Sequence, residues 1–218
     1  MNKNNKIIWM SWLQGLCDPR IPKLNLDCIN RWKDLNPDWR FELITYKNVS
    51  EYVPEFQHII DKSPKRIKAH QTDLLKLLLL EKFGGVWCDA SLYPTLPMSN
   101  FIDDILDNTG FFTYRFLPRS IDQKMGNRDT VVWFLVVNEG GHYLISRWCQ
   151  LFLKKFIDNQ NFKYFTMAES LCELYDQDKK IQFIIDNMVQ IDEKIPHSAI
   201  RDWNFRKESY MYKRPKFK

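Results

Sequence analysis

Glycine is scarce in this chain. There are seven glycines in 218 residues, and none falls in a G-x-G-x-x-G or P-loop pattern, so neither glycine-rich phosphate cradle is present. Cysteine is sparse and unpaired by pattern. The five copies, Cys17, Cys28, Cys88, Cys149 and Cys172, are odd in number and include no C-x-x-C. That argues against a disulfide framework or a zinc site and fits small buried side chains in a reducing compartment. No apolar run comes near the ~20 residues of a membrane span. The polar start, Met1-Asn2-Lys3-Asn4-Asn5-Lys6, lacks the apolar core of a signal peptide, and a cytoplasmic location is expected.

What is present is ordinary in bulk and uneven in placement. An apolar share of 44% and a charged share of 27% describe a globular chain and exclude a disordered, collagen-like or coiled-coil one. The length suits a single domain at roughly 150 residues each. The formal charge is +5, from 32 basic and 27 acidic residues, and seven basic and two acidic residues lie from Arg201 to Lys218. The other 200 residues therefore carry 25 of each sign. This basic tail is interleaved with Trp203, Phe205, Tyr210, Tyr212 and Phe217, a composition that suits phosphates, an anionic membrane face or nucleic acid.

Hydrophobic periodicity predicts strands over 6–12, 39–45, 86–93, 110–116 and 131–137. Helical spacing covers 24–35, 65–83, 101–106, 142–156 and 167–175. A polar loop over 117–130, with Arg119, Lys124 and Arg128, suits a lid or a plain surface loop. Strands alternating with helices imply an α/β layer fold with at least part of the sheet parallel.

The most informative stretch joins Asp73 and Lys76 to Asp89 through Gly84-Gly85. Asp73 lies ten residues before the helix end at Phe83, about 15 Å along the axis. Two glycines can supply the left-handed reversal, and four strand residues return about 13 Å. Both carboxylates should therefore reach the carboxyl edge of a strand, where open α/β sheets bind ligands. Lys76 shares a helix face with Asp73. Two acids and a base could hold a polyhydroxylated ligand, a metal or a diphosphate. Alternatively, Asp73 and Lys76 form an intrahelical ion pair while Asp89 merely ends a strand.

The block Thr72-Asp73-Leu74-Leu75-Lys76, followed by Lys82-Phe83-Gly84-Gly85-Val86-Trp87-Cys88-Asp89-Ala90-Ser91, resembles the S-D-x-x-R … Y-G-G-x-W-x-D-A-T/S signature of capsular polysaccharide synthesis glycosyltransferases. These are relatives of glycosyltransferase family 32 and, more distantly, of the glucosylating clostridial toxins. The opening Ile7-Ile8-Trp9-Met10-Ser11-Trp12, the Val132-Trp133-Phe134-Leu135 block, Tyr164-Phe165 and Ile195-Pro196-His197 are similar to other segments of that family.

The resemblance implies a single GT-A-like domain over 1–218: a nucleotide-binding mixed sheet flanked by helices, with a helical C-terminal half. Residues 1–100 would bind the nucleotide-sugar, and residues 101–218 would face the acceptor and carry the basic tail. It implies transfer of a hexose from a nucleotide-sugar, UDP foremost, to a glycan or lipid-linked acceptor in bacterial surface polysaccharide synthesis, with retention. Asp73 and Asp89 would be catalytic. Trp9 would flank the nucleobase with Ser11 nearby, Lys76 would stand in for an arginine on the donor sugar, and Lys213 and Arg214 would meet the diphosphate. A divalent cation, Mn²⁺ or Mg²⁺, would engage Asp89, Ser91 and His197, although Ser91 replaces the second acid of a D-x-D motif and weakens that set. A non-catalytic binder of nucleotide-sugar or glycan is the alternative. The tail could touch an anionic inner membrane face. A nucleic-acid partner is not expected, because it leaves the acid pair unexplained.

Overall fold

The computed structural model describes residues 6–106, 109–115, 130–158 and 162–191, with the backbone of 211–213. The β-rich opening forms β1 (Ile7–Ser11), all five residues buried. Helix α1 (Lys23–Leu35) ends at Asn36, because the residue before Pro37 is disfavoured in helical geometry. The Asn36 side chain donates to Trp32 O and accepts from Met98 N (2.8 and 2.6 Å). Strand β2 (Arg40–Ile44) follows, then two short helices that periodicity did not reveal, α2 (Val49–Tyr52) and α3 (Phe56–Lys62).

Helix α4 runs over Lys68–Phe83 and is followed directly by β3 (Gly85–Cys88). The strand expected over 86–93 is broken. Asp89 leaves β3, a turn closes with Leu92 N donating to Asp89 O at 3.0 Å, and β4 (Leu92–Pro94) joins a different sheet. Then come α5 (Ile102–Ile105), β5 (Phe111–Arg115), β6 (Thr130–Val137), α6 (Tyr143–Asp158) and α7 (Thr166–Gln177). Helix α8 (Lys179–Asn187) is an addition to the expected set. The Asp178 carboxylate caps it by accepting from Lys180 N and Ile181 N at 3.0 and 3.2 Å. Strand β7 (Met211–Lys213) pairs with β4.

The main sheet has the order β2-β1-β3-β6-β5. β1 is parallel to β2 and β3, while β6 is antiparallel to β3 and β5. The period-2 alternation of strands splits the core into two layers. On one face Trp9, Trp87 and Leu135 belong to the cluster that includes Leu74, Leu77 and Leu80 of α4 and Trp148 of α6. On the other, Ile8, Met10, Val86 and Phe134 pack with Trp32 of α1 and Ile102 of α5. The result is the expected mixed sheet flanked by helices, with α6, α7 and α8 making the later part helical. The ends of β1 and β3 and the start of β6 meet at one sheet edge, and the candidate site forms there. Of the segment 117–130, only Thr130 lies within the described residues.

Candidate functional site

The site begins with a reversal. Gly84 and Gly85 have φ of 66° and 95°, in the left-handed region where a side chain is strained. Space is also closed to one: a Cβ on Gly84 would lie 2.6 Å from the Glu139 backbone, and one on Gly85 would lie 2.7 Å from Ile7 O. The indole N–H of Trp9 donates to Gly84 O at 2.9 Å and ties β1 to the turn. Trp9 is therefore core and not cavity wall. It is fully buried, with Tyr52 and Phe83 rings 5.3 and 5.4 Å from its own. The expected nucleobase contact through Trp9 is corrected on that ground. Trp12, at the open end of the strand, lines the cavity instead.

Helix and strand deliver their acids to one place. Lys76 Nζ lies 3.1 Å from Asp73 Oδ1 and 3.6 Å from Asp89 Oδ1, and it donates to Val132 O at 2.6 Å. The lysine is 1% exposed. Asp89 is held at both ends: its backbone N–H donates to Trp133 O at 2.9 Å, and its Oδ1 accepts from Trp87 Nε1 at 3.0 Å. Trp87 and Asp89 are two residues apart on an extended segment and so share a side of the sheet. The expected intrahelical ion pair does form, but it reaches past the helix to Asp89, so the two readings of the pair merge.

These groups line a cavity of about 700 Å³ at the sheet edge, within the usual range for small-molecule sites. Ser11, Trp12 and Gln14 come from the end of β1, Asp89 and Ser91 follow β3, and Val131 and Trp133 belong to β6. The cavity thus draws on both sides of residue 100. Asn25 of α1, buried, donates to Ala90 O at 2.9 Å and so steadies the 89–91 turn. Its role was not legible, because an asparagine inside a helix gives no local sign of a partner 65 residues away. Lys68, Thr72, Tyr164 and Phe165 also line the wall; Thr72 and Tyr164-Phe165 lie in segments that carry the resemblance, which gave them no role.

Of the expected site residues, Ser11, Asp73, Lys76, Asp89 and Ser91 come together here. Lys213 enters through its backbone alone, paired opposite Leu92, the residue after Ser91. Arg214 and His197 lie outside the described residues.

A divalent cation finds a partial donor set. Among the described residues, no group of three His, Cys, Asp or Glu side chains could hold one. Asp89 offers a carboxylate and Ser91 a neutral hydroxyl, and the Lys76 ammonium stands 3.6 Å from Asp89 Oδ1. Small hard cations are commonly held by one or two carboxylates plus substrate phosphates. The described residues fit a cation that arrives with a diphosphate better than one held by protein alone.

Four of the five cysteines, Cys28, Cys88, Cys149 and Cys172, are buried, and Cys17 is exposed. Burial pushes the Cys149 thiol up to about 12. Among the described residues, no helix is long and apolar enough to cross a membrane.

A family model described as "Capsular polysaccharide synthesis protein" matches residues 1–212. The chain is 26% identical over 164 residues to the O-glycosyltransferase braB of Annulohypoxylon truncatum, covering 69% of this chain and 38% of that protein. It is 26% identical over 106 residues to the initiation-specific alpha-1,6-mannosyltransferase of Candida albicans, covering 45% and 27%. The chain thus spans less than two-fifths of the length of these curated relatives. Among solved structures it is similar to PaToxG Glycosyltransferase, with a TM-score of 0.53, 14% identity, and coverage of 82% of this chain and 73% of that one. That likeness is one of fold, the GT-A-like arrangement.

Proposed function

The chain belongs to the capsular polysaccharide synthesis protein family, and from that premise we propose that it is a glycosyltransferase moving a hexose from a nucleotide-sugar to an acceptor hydroxyl. The observation that carries the reading is the buried Lys76 ammonium between Asp73 and Asp89 on the wall of an open cavity. Two fixed carboxylates with a local counter-charge suit a neutral, polyhydroxylated ligand. They accept hydrogen bonds from sugar hydroxyls, and the Lys76 ammonium cancels one of their two negative charges beside a diphosphate.

In this proposal Asp73 and Lys76 orient the donor sugar. Asp89 accepts from the ribose or sugar hydroxyls, its carboxylate held in place by the Trp87 indole. Trp12 and Ser11 border the nucleoside. The anomeric C–O bond breaks with its electron pair leaving on the diphosphate, the acceptor oxygen bonds to the anomeric carbon, and the acceptor's proton passes to the departing phosphate oxygen. The family resemblance supports retention, and no second carboxylate is assigned as a nucleophile. A bound Mn²⁺ or Mg²⁺ would supply charge stabilisation to the leaving diphosphate, with Asp89 and Ser91 as its described ligands. The family resemblance assigns Lys213 and Arg214 to the same phosphates, and β7 pairs with β4 so that the Lys213 backbone lies opposite Leu92, next to Ser91. A UDP donor and a role in surface polysaccharide assembly follow from the resemblance.

The test is release of free sugar from UDP-glucose and GDP-mannose by the full chain, with and without Mn²⁺. Slow release is expected, lost in Asp73→Asn and Asp89→Asn variants that keep their fold. Undiminished release by either folded variant refutes the reading. Ser91, in place of a second acid, favours one further reading: binding without turnover. It is recognised by nucleotide-sugar binding with no sugar released.

A further inference from the structure

Among the described residues, Tyr164 and Phe165 are the only exposed large apolar side chains that also line the cavity. They are 50% and 38% exposed, with ring centroids 4.9 Å apart at nearly a right angle. Their turn is built, not loose. Lys163 N donates to Thr166 Oγ1 at 3.0 Å, and Thr166 N donates back to Lys163 O at 3.1 Å. The Trp148 indole donates to Met167 O at 3.1 Å, tying the start of α7 to α6. Phe162, just before the turn, lies 4.4 Å from the Arg66 guanidinium and 4.7 Å from the His70 ring. The aromatic pair is therefore docked beside the first turn of α4.

That position gives the cavity a direction. Lys68, Ala69, Thr72, Asp73 and Lys76 line it from one face of α4, a span of about 12 Å at the helical rise. Lys68 lies at the N-terminal end of that face, and Lys76, bonded to Asp73 and close to Asp89, lies at its far end; Phe162, just before the aromatic turn, packs on His70 near the Lys68 end. A transferase needs room for a second substrate whose hydroxyl reaches the donor sugar from outside. A pyranose ring suits the outer wall, because its C–H face packs on aromatic carbon while its hydroxyl rim turns to a lysine and a threonine. A hydrocarbon chain would make no use of the Lys68 ammonium or the Thr72 hydroxyl on that wall.

We propose that Tyr164 and Phe165, with Lys68 and Thr72, form an acceptor subsite that holds the terminal sugar ring of a glycan. The subsite rests on the transferase reading for its role in catalysis, but its ligand chemistry can be tested separately.

The experiment uses the full chain with p-nitrophenyl α-glucoside, α-mannoside and β-galactoside as glycan probes and farnesyl phosphate as a lipid probe. Binding is read by ligand-observed NMR, and transfer from UDP-glucose or GDP-mannose is read as its ratio to donor hydrolysis. At least one glycoside should bind. Tyr164→Ala and Phe165→Ala should each weaken it by about tenfold, the loss expected of one aromatic contact, and lower the transfer-to-hydrolysis ratio. Tyr164→Phe should stay within about threefold, and Phe183→Ala, on the exposed face of α8, should match the wild type. The subsite is overturned if no glycoside binds the wild type, or if both alanine variants bind it normally. It is equally overturned if the variants raise the donor KM instead, or lose only farnesyl phosphate. Glycoside binding that depends on Tyr164 in a protein that releases no sugar from any donor would refute the transferase reading and leave the glycan subsite standing.

Discussion

Lys76 occupies a helix position that would ordinarily take a leucine, next to Leu74, Leu75 and Leu77 in the core. Its ammonium is desolvated, and two carboxylates and a carbonyl offset that cost. Lys76→Met leaves both acids without their cation. The acids are only 17% and 32% exposed, so breaking the cluster should destabilise the fold by about 1–3 kcal/mol, below the fully buried case because solvent still screens them. A lower urea midpoint at unchanged slope is the expected result.

His70 makes a second prediction. It is buried, and neither ring nitrogen has a hydrogen-bond partner among the described residues. Burial first, then the neighbouring Arg66 guanidinium, hold its pKa below the ordinary 6.5. The unfolded chain therefore binds a proton that the folded chain resists. Stability is untouched above pH 6.5 and falls as the pH drops through that value toward the lower folded pKa. The melting temperature should fall between pH 7 and pH 5, and His70→Leu should flatten part of the slope. His142, lowered by its own burial, contributes in the same direction. An equally steep slope in the variant would remove His70 as a cause.

At the scale of elements, the α4–β3 reversal decides whether the acids meet. Gly84→Ala forces a left-handed φ on a residue with a Cβ and drives that carbon against the Glu139 backbone. The expected loss is at least about 2 kcal/mol. Nucleotide-sugar affinity should fall as well, because Asp89 leaves from the end of β3. Trp9→Phe removes the indole bond to Gly84 O and part of a fully buried ring packed on Tyr52 and Phe83, and should cost at least about 2 kcal/mol. Full stability in Gly84→Ala would show that the turn tolerates another path.

The reversal was legible in advance because helix rise, strand rise and glycine chemistry are local quantities. The break at Asp89–Ser91 was not. Strand-forming residues flank Asp89–Ser91 on both sides, and the pairing of β3 with β6 and of β4 with β7 separates the two strands. The nucleobase contact that the resemblance implied for Trp9 was misplaced for a related reason. Strand parity puts the two on opposite faces, but depth along the strand, with Trp9 inside and Trp12 at the edge, depends on what covers each end.

For the whole molecule, the prediction concerns ligands acting together. A ligand that binds only the folded state adds about 2.7 kcal/mol of stability at a hundredfold excess over its Kd. A nucleotide-sugar should therefore raise the melting temperature, and Asp73→Asn and Asp89→Asn should abolish the rise. Because the described donor set for a cation is partial, Mn²⁺ alone should give no shift, while Mn²⁺ with the nucleotide-sugar should exceed the nucleotide-sugar alone. A full shift from Mn²⁺ alone would point to a cation held by the protein itself.

Composition, periodicity and spacing by themselves determined an α/β layer fold with at least part of its sheet parallel and an acid pair returning to one sheet edge. These follow from properties that each segment carries within about twenty residues. Only the tertiary structure decided that Lys76 is buried between both acids, that Trp12 rather than Trp9 faces the cavity, and that an aromatic turn from α7 borders the start of α4. Each of these depends on residues brought together from distant parts of the chain, as when Arg66 donates to Phe156 O ninety positions away. No local pattern encodes such a pairing, because its energy comes from neighbours that the chain acquires only on folding.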